Sequence, residues 1–192
     1  MTQDSIIAFG NRNWQILDVK GDKALIISGE IIELRWYHQK FVEITWANSA
    51  IRQYLNNEFY STFSQDEKAK ISTVTSRNLD NQWFRTNGGK DTTDSIFLLS
   101  LEEICEYFGN SGAKLRNKGN QIWSIDDENN SRRQAKYGGN FHWWRLRSPG
   151  YYARTAASVS YNGCVYVRGN GVYGSPRDGG GIRPALWLIL EE

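Results

Sequence analysis

The stretch Trp143-Trp144-Arg145-Leu146-Arg147-Ser148-Pro149-Gly150, answered by Gly181-Ile182-Arg183-Pro184-Ala185-Leu186-Trp187, decides how this chain is read. Buried Trp packs over a large area, and a neighbouring Arg satisfies backbone carbonyls or pairs with a carboxylate. Trp143, Trp144, Arg145, Arg147, Arg183 and Trp187 therefore read as two structural anchors. Between them, Tyr, Ser, Asn, Arg and Gly dominate, which reads as a contact surface and not as core.

The bracketed segment contains a hairpin whose register follows from its pattern. Tyr161-Asn162-Gly163 makes a three-residue loop with Gly163 left-handed, the geometry of a G1 bulge. Val159 then faces Val165 and Ala157 faces Val167, so these four share an apolar face. Ser158, Ser160, Cys164, Tyr166 and Arg168 share the other. A two-residue Asn162-Gly163 loop would mix the two sets. A second turn at Gly169-Asn170-Gly171 returns the chain, with Val172 on the apolar face and Tyr173 on the polar one. Leu186 to Leu190 is a last, mostly buried strand.

Working outward to the N-terminus, short apolar runs at Ile6–Gly10, Trp14–Val19 and Lys23–Ser28 predict a small sheet, with a hairpin at Lys20-Gly21-Asp22. A strand-like stretch follows from Ile31 to Tyr37. Thr45 is expected to cap a helix reaching Phe59, since Ala47, Ile51, Tyr54, Leu55 and Phe59 keep a helical period. Ser64 with Glu67, and Ser100 with Glu103, are capping boxes that open two further helices, the second stopped near Gly109. Asn87 to Asp91 is a turn, and Asp94 to Leu99 reads as a buried strand. Residues 110–140 are polar with little periodicity and read as a surface excursion.

The 192 residues suit a single domain: a sheet-and-helix scaffold over 1–109, the excursion over 110–140, and a β region with the candidate ligand face over 141–192. Apolar content of 40% and charge of 23% are ordinary for a globular protein. The aromatic share of 14%, with 8 Trp, is not. A net charge of +2 is too small to argue for nucleic acid or an anionic membrane. No stretch has the length of a membrane span or a signal peptide, so the chain as given reads as cytoplasmic or part of a phage particle. Cys105 and Cys164 read as free thiols, although spacing alone leaves a disulfide open.

Several motifs are shared with a family of uncharacterised bacterial and phage domains, which the chain resembles nearly end to end. They are Trp14-Gln15-Ile16-Leu17-Asp18, Trp46 with Ile51-Arg52-Gln53-Tyr54-Leu55-Asn56, Thr92-Thr93-Asp94-Ser95-Ile96-Phe97-Leu98-Leu99-Ser100, and the two anchors. The order of Trp–Arg motif, hairpins and Gly-x-Arg before a last strand is similar to the C-type-lectin-like fold of formylglycine-generating enzymes. The variable proteins of diversity-generating retroelements share that fold. The resemblance implies an α+β domain: a small N-terminal sheet, two to three helices and a loop-rich C-terminal β region. It also implies ligand recognition by residues between the two anchors. Formylglycine-generating enzymes bind copper through paired cysteines late in the fold. Here only Cys164 lies in that region, so neither copper nor oxidase activity is expected.

The candidate ligand face is Tyr151, Tyr152, Arg154, Ser158, Ser160, Tyr166, Arg168, Asn170, Tyr173, Arg177 and Asp178. Tyr supplies area at low entropic cost, Arg is a common anchor, and small polar residues adapt. The bland alternative is the solvated face of an antiparallel sheet. No catalytic residue, metal or cofactor is expected. His38 and His142 lie at no useful spacing from a thiol. Asp126-Asp127-Glu128-Asn129 offers oxygen ligands for calcium, but Arg132 and Arg133 neutralise it more simply. Gly179-Gly180-Gly181 precedes a strand, which argues against a phosphate loop. The expected function is non-enzymatic binding of a protein or glycan. The alternatives are a structural component of a phage particle, or an enzyme with an unrecognised site.

Overall fold

A computed structural model describes residues 2–174 and 179–190. Arg177 and Asp178 of the candidate face lie outside the described residues. The chain opens with β1 (Ile6–Phe9), β2 (Arg12–Lys20), β3 (Lys23–Ser28) and β4 (Glu33–Arg35). Helical structure follows: a 3-10 turn at Trp46–Asn48, then α1 (Ala50–Tyr54), which widens into a π turn at Leu55–Phe59, then α2 (Gln65–Lys70). Next come β5 (Ile71–Ser72), β6 (Val74–Ser76), β7 (Thr92–Asp94), α3 (Leu101–Tyr107), α4 (Gly112–Arg116), β8 (Ser124–Ile125) and α5 (Asn130–Arg133). The last part is β9 (Ala135–Tyr137), β10 (Asn140–His142), β11 (Trp144–Pro149), β12 (Thr155–Val159), β13 (Val165–Gly171), β14 (Gly180–Ile182) and β15 (Ala185–Ile189). The fold is α+β, with helices and several small sheets.

Two sheets carry the architecture. One is five-stranded, ordered β1-β2-β3-β15-β5, and the other six-stranded, ordered β4-β14-β11-β12-β13-β8. The continuous apolar run Ala24–Ile27 is explained by its place: β3 is paired on both edges and all four residues are buried. The two anchors hold the sheets together. All six residues of β11 are buried between β14 and β12. The second anchor passes from one sheet to the other, with Arg183-Pro184 as the corner between β14 and β15. Arg183 Nε donates to the Ser28 carbonyl at 2.8 Å, and its guanidinium lies 5.1 Å from the Trp144 ring and 5.4 Å from Phe108. Burial lowers its pKa to about 10. The structural reading of both anchors follows from this geometry.

The hairpin loop forms as its composition predicts. Gly163 has φ of +89°, and an added Cβ would sit 1.9 Å from the Asn130 carbonyl oxygen. Val159 pairs with Val165, and Ala157, Val159, Val165 and Val167 are all buried. Beyond Ser158–Tyr166 the register departs from the expected one by two residues, so that Ala156 faces Asn170. The cause is Gly169, whose φ of +74° makes a bulge. Gly169-Asn170-Gly171 is thus part of β13 and not a returning turn.

Other expectations are corrected by longer-range contacts. Ser49, not Thr45, caps the first α-helix by accepting from the Arg52 N–H at 3.3 Å. Thr45 opens only the preceding 3-10 turn and makes no side-chain cap. Of Ile31–Tyr37 only Glu33–Arg35 is strand, paired with β14. Of the expected strand Asp94–Leu99 only Asp94 is strand, as the last residue of β7, and Phe97 makes a single bridge to Ala185 while residues 96–99 are buried. Residues 110–140 are no simple excursion. They hold α4, β8, α5 and β9, they supply β8 as an edge of the six-stranded sheet, and they bury Leu115, Ile125 and Arg133. Both capping boxes, at Ser64–Glu67 and Ser100–Glu103, are formed.

Candidate binding surface

The surface is built from one buried side chain outward. Asn81 is 1% exposed and donates from Nδ2 to the carbonyls of Pro149 and Val167, at 2.8 and 3.0 Å. Its Oδ1 accepts from the backbone N–H groups of Trp83 and Phe84. A short loop is thereby pinned across β11 and β13, with its two aromatic side chains half-buried. Trp83 Nε1 donates to the Leu115 carbonyl at 2.9 Å, which fixes the indole against α4.

Phe84 then meets Tyr151 edge to face, with centroids 4.7 Å apart, and Tyr151 meets Tyr152 the same way at 4.3 Å. Such tilted pairs suit the ring quadrupoles and are worth roughly 0.5–1.5 kcal/mol each beyond area burial. The Arg168 guanidinium lies 4.5 Å from the Trp123 ring and 5.7 Å from Tyr151. Lys118 Nζ is 5.0 Å from Phe84. The backbone beneath is fixed: the Tyr151 N–H donates to the Arg168 carbonyl at 2.7 Å, and Thr86 Oγ1 to the Tyr151 carbonyl at 2.9 Å. The result is a rigid aromatic ridge flanked by two cations. Tyr152 is 56% exposed, Trp123 50% and Tyr151 40%. Among the described residues no carboxylate pairs with Arg168 or Lys118.

The expected face is not one continuous surface. Tyr151, Tyr152 and Arg168 are brought together in the ridge. Arg154 lies over the exposed ring of Phe41 at 5.0 Å, and Tyr173 packs on Trp36 at 5.1 Å. Ser158 is 1% exposed and accepts from Asn170 Nδ2 at 2.8 Å, so both belong to the packing between β12 and β13. Tyr166 and Ser160 are half-buried along the hairpin. The sequence reading missed Asn81, Trp83, Phe84 and Trp123. Their signal was present in Asn81-Gln82-Trp83-Phe84, an aromatic pair in a polar loop directly after an Asn able to make local backbone bonds.

Neither thiol is activated. Burial pushes Cys105 up to about 12, and burial with the neighbouring Asp126 raises Cys164, so both are neutral thiols at pH 7. The acidic loop is occupied internally. Asp127 accepts from Ser111 Oγ at 2.7 Å and pairs with the wholly buried Arg133 at 3.0 Å and with Lys114 at 3.4 Å. Burial would raise its pKa, but the Ser111 hydroxyl, the Asn129 N–H and the two cations outweigh burial and hold it below the usual value. Arg132 turns away to Asp4. Among the described residues no group of three or more His, Cys, Asp or Glu could hold a metal ion, and no helix is long and apolar enough to cross a membrane.

The family model of a domain of unknown function, DUF6273, matches residues 21–190. The chain belongs to that family. The DUF6273 match takes in both anchors and every residue of the ridge, and begins after β2. No curated protein and no solved structure matches the chain.

Proposed function

We propose that this DUF6273 domain is a non-catalytic binding module whose aromatic ridge docks a protein partner carrying carboxylates beside apolar side chains. The observation that carries this reading is the ridge itself: Phe84, Tyr151 and Tyr152 in edge-to-face contact, with Arg168 and Lys118 beside them, two charges that meet no carboxylate among the described residues. Exposed Tyr, Trp and Arg on a fixed backbone are the residues that dominate protein interfaces. Their rigidity means that little ordering entropy is lost on binding.

Tyr151→Ala and Arg168→Ala are each expected to weaken partner binding by about 2 kcal/mol, roughly thirtyfold. The check compares proteins captured by the wild type and by each variant, with Tyr161→Ala as an exposed control away from the ridge. Partners retained equally by all four chains would end the proposal. Sedimentation adds a further outcome. A homo-oligomer that dissociates only in the ridge variants would make this face a permanent subunit contact, as in a phage particle.

A C-type-lectin-like scaffold and kinship with retroelement variable proteins belong to the same proposal, supported by the Tyr, Asn and Ser content between the anchors. Sister copies are then expected to differ at exposed Tyr151, Tyr152, Arg154 and Tyr173, and to agree at buried Ala157, Ser158 and Val159. Deep sequencing of the gene and its genomic surroundings decides this. An invariant segment with no template copy nearby removes the retroelement part and leaves the ridge reading standing.

A further inference from the structure

A cleft of about 470 Å³ that shares no residue with the ridge opens between the end of β4 and the helix running from α1 into its π turn. Its size lies in the range of small-ligand sites. The aromatic walls are Trp36, whose ring stands 5.1 Å from Tyr173, and Tyr54, whose ring is covered by the Arg35 guanidinium at 3.7 Å. The polar wall is made of the exposed side chains Gln53, Asn57 and Glu58. Asn57 and Glu58 stand there because the helix widens to π geometry over Leu55–Phe59. Such local widening recurs at functional sites.

The chemistry of these walls is specific. Carboxamides offer a donor and an acceptor side by side, and a carboxylate accepts twice, which matches pairs of adjacent hydroxyl groups. Flat aromatic rings suit the C–H faces of a pyranose. The charge is already balanced, because Arg35 is ion-paired with Glu33 and Glu58 adds a second negative group to the same wall. Among the described residues an anionic ligand gains no free cation here. Trp36 Nε1 is buried without an acceptor among the described residues.

We propose that this cleft binds a short neutral saccharide, held against Trp36 and Tyr54 and hydrogen-bonded by Gln53, Asn57 and Glu58. The test is an NMR titration of the whole chain, followed at the Trp indole N–H signals. The probes are glucose, galactose, mannose, N-acetylglucosamine and their β-1,4-linked disaccharides, with adenosine as a flat non-sugar ligand. At least one sugar is expected to move the Trp36 signal saturably. The exposed-residue variant Gln53→Ala with Asn57→Ala is expected to weaken that sugar about tenfold, as the loss of one or two hydrogen bonds predicts. The proposal is overturned by the absence of a saturable Trp36 shift with every sugar, or by shifts confined to Trp123. Binding of adenosine alone, or a double variant within about twofold of wild type, also overturns it. None of these outcomes bears on the ridge, whose test uses other residues and a protein ligand.

Discussion

Arg147→Ala is expected to destabilise the domain by about 3–5 kcal/mol, the cost of removing one partner from a buried ion pair. Arg147 is 3% exposed and stands in the middle of the first anchor. Its Nη2 donates to Glu103 Oε1 at 2.9 Å, its Nη1 to the Leu98 carbonyl at 2.8 Å, and its Nε to Asn78 Oδ1 at 3.3 Å. Burial alone would lower its pKa, but Glu103 outweighs burial and holds the guanidinium charged. Glu103 also closes the capping box of α3 by accepting from the Ser100 N–H at 2.8 Å. One side chain therefore ties β11 to the start of α3 and to the buried run after β7. Alanine takes a donor from the buried Leu98 carbonyl and the cation from Glu103, and opens a void the size of a guanidinium. For a chain of this length the melting temperature should fall by roughly 6–20 °C. Arg147→Lys keeps the charge but not the fork, and should fall in between. A thermal melt of Arg147→Ala within about 2 °C of wild type would show that the anchor does not depend on this network.

How much of this was legible in the sequence divides by the range of the forces involved. The capping boxes at Ser64 and Ser100 depend on residues three apart, and both form as read. The loop at Tyr161-Asn162-Gly163 depends on one left-handed glycine, and its first pairs follow. Thr45 and Ser49 are both favourable cap residues in isolation. The choice between them is made by Trp46, which is drawn inward so that its indole reaches Asp94, and the helix starts only after it. The run after Asp94 has strand composition, but its backbone partners are scattered over Asn56, Ala185 and Arg147, so it is buried with a single bridge and no ladder. The glycine at 169 gave no local sign of being a bulge. The position requires glycine, because a Cβ there would lie 2.3 Å from the Ala156 carbonyl oxygen across the hairpin.

The candidate surface was legible in type and less so in place. Tyr151, Tyr152 and Arg168 were read from composition, and they do meet. Half of the ridge comes from elsewhere in the chain, because Asn81 carries Trp83 and Phe84 to it and β8 carries Trp123. Ser158 was assigned to the surface by strict alternation, and Asn170 as part of a turn at Gly169-Asn170-Gly171. The bulge at Gly169 brings Asn170 opposite Ala156, where its amide turns onto the Ser158 hydroxyl. Alternation predicts exposure only where one face of the strand is left to solvent, and Ala156–Val159 are buried throughout.

Asp94→Ala is the second substitution expected to cost about 3–5 kcal/mol, for the same physical reason, at a node joined to Arg147 through Thr92 and Asn78. The Asp94 side chain is fully buried, and it is paired with Arg52 Nε at 2.6 Å. It also accepts from Trp46 Nε1 at 3.0 Å and from Thr92 Oγ1 at 2.7 Å. Arg52 sits on α1, and Asn56 on the π turn adds a longer contact to Asp94 at 3.4 Å while accepting from the N–H groups of Ser95 and Ile96. One carboxylate thus holds the indole that starts the helix and the guanidinium on its first turn. Alanine strands a half-buried cation and a buried indole N–H together. Asp94→Asn keeps the volume but replaces an acceptor oxygen with a donor facing other donors, so it should recover little. In a double-mutant cycle, Arg52→Ala should cost less in the Asp94→Ala background than alone, because the stranded charge is then gone. Urea unfolding of the four chains measures this coupling. Additive losses, or a cost below about 1 kcal/mol for Asp94→Ala, would mean that apolar packing alone positions the helix. With coupling present, hydrogen exchange over Leu55–Phe59 should rise in Asp94→Ala, because the π turn that lines the cleft hangs from the same node.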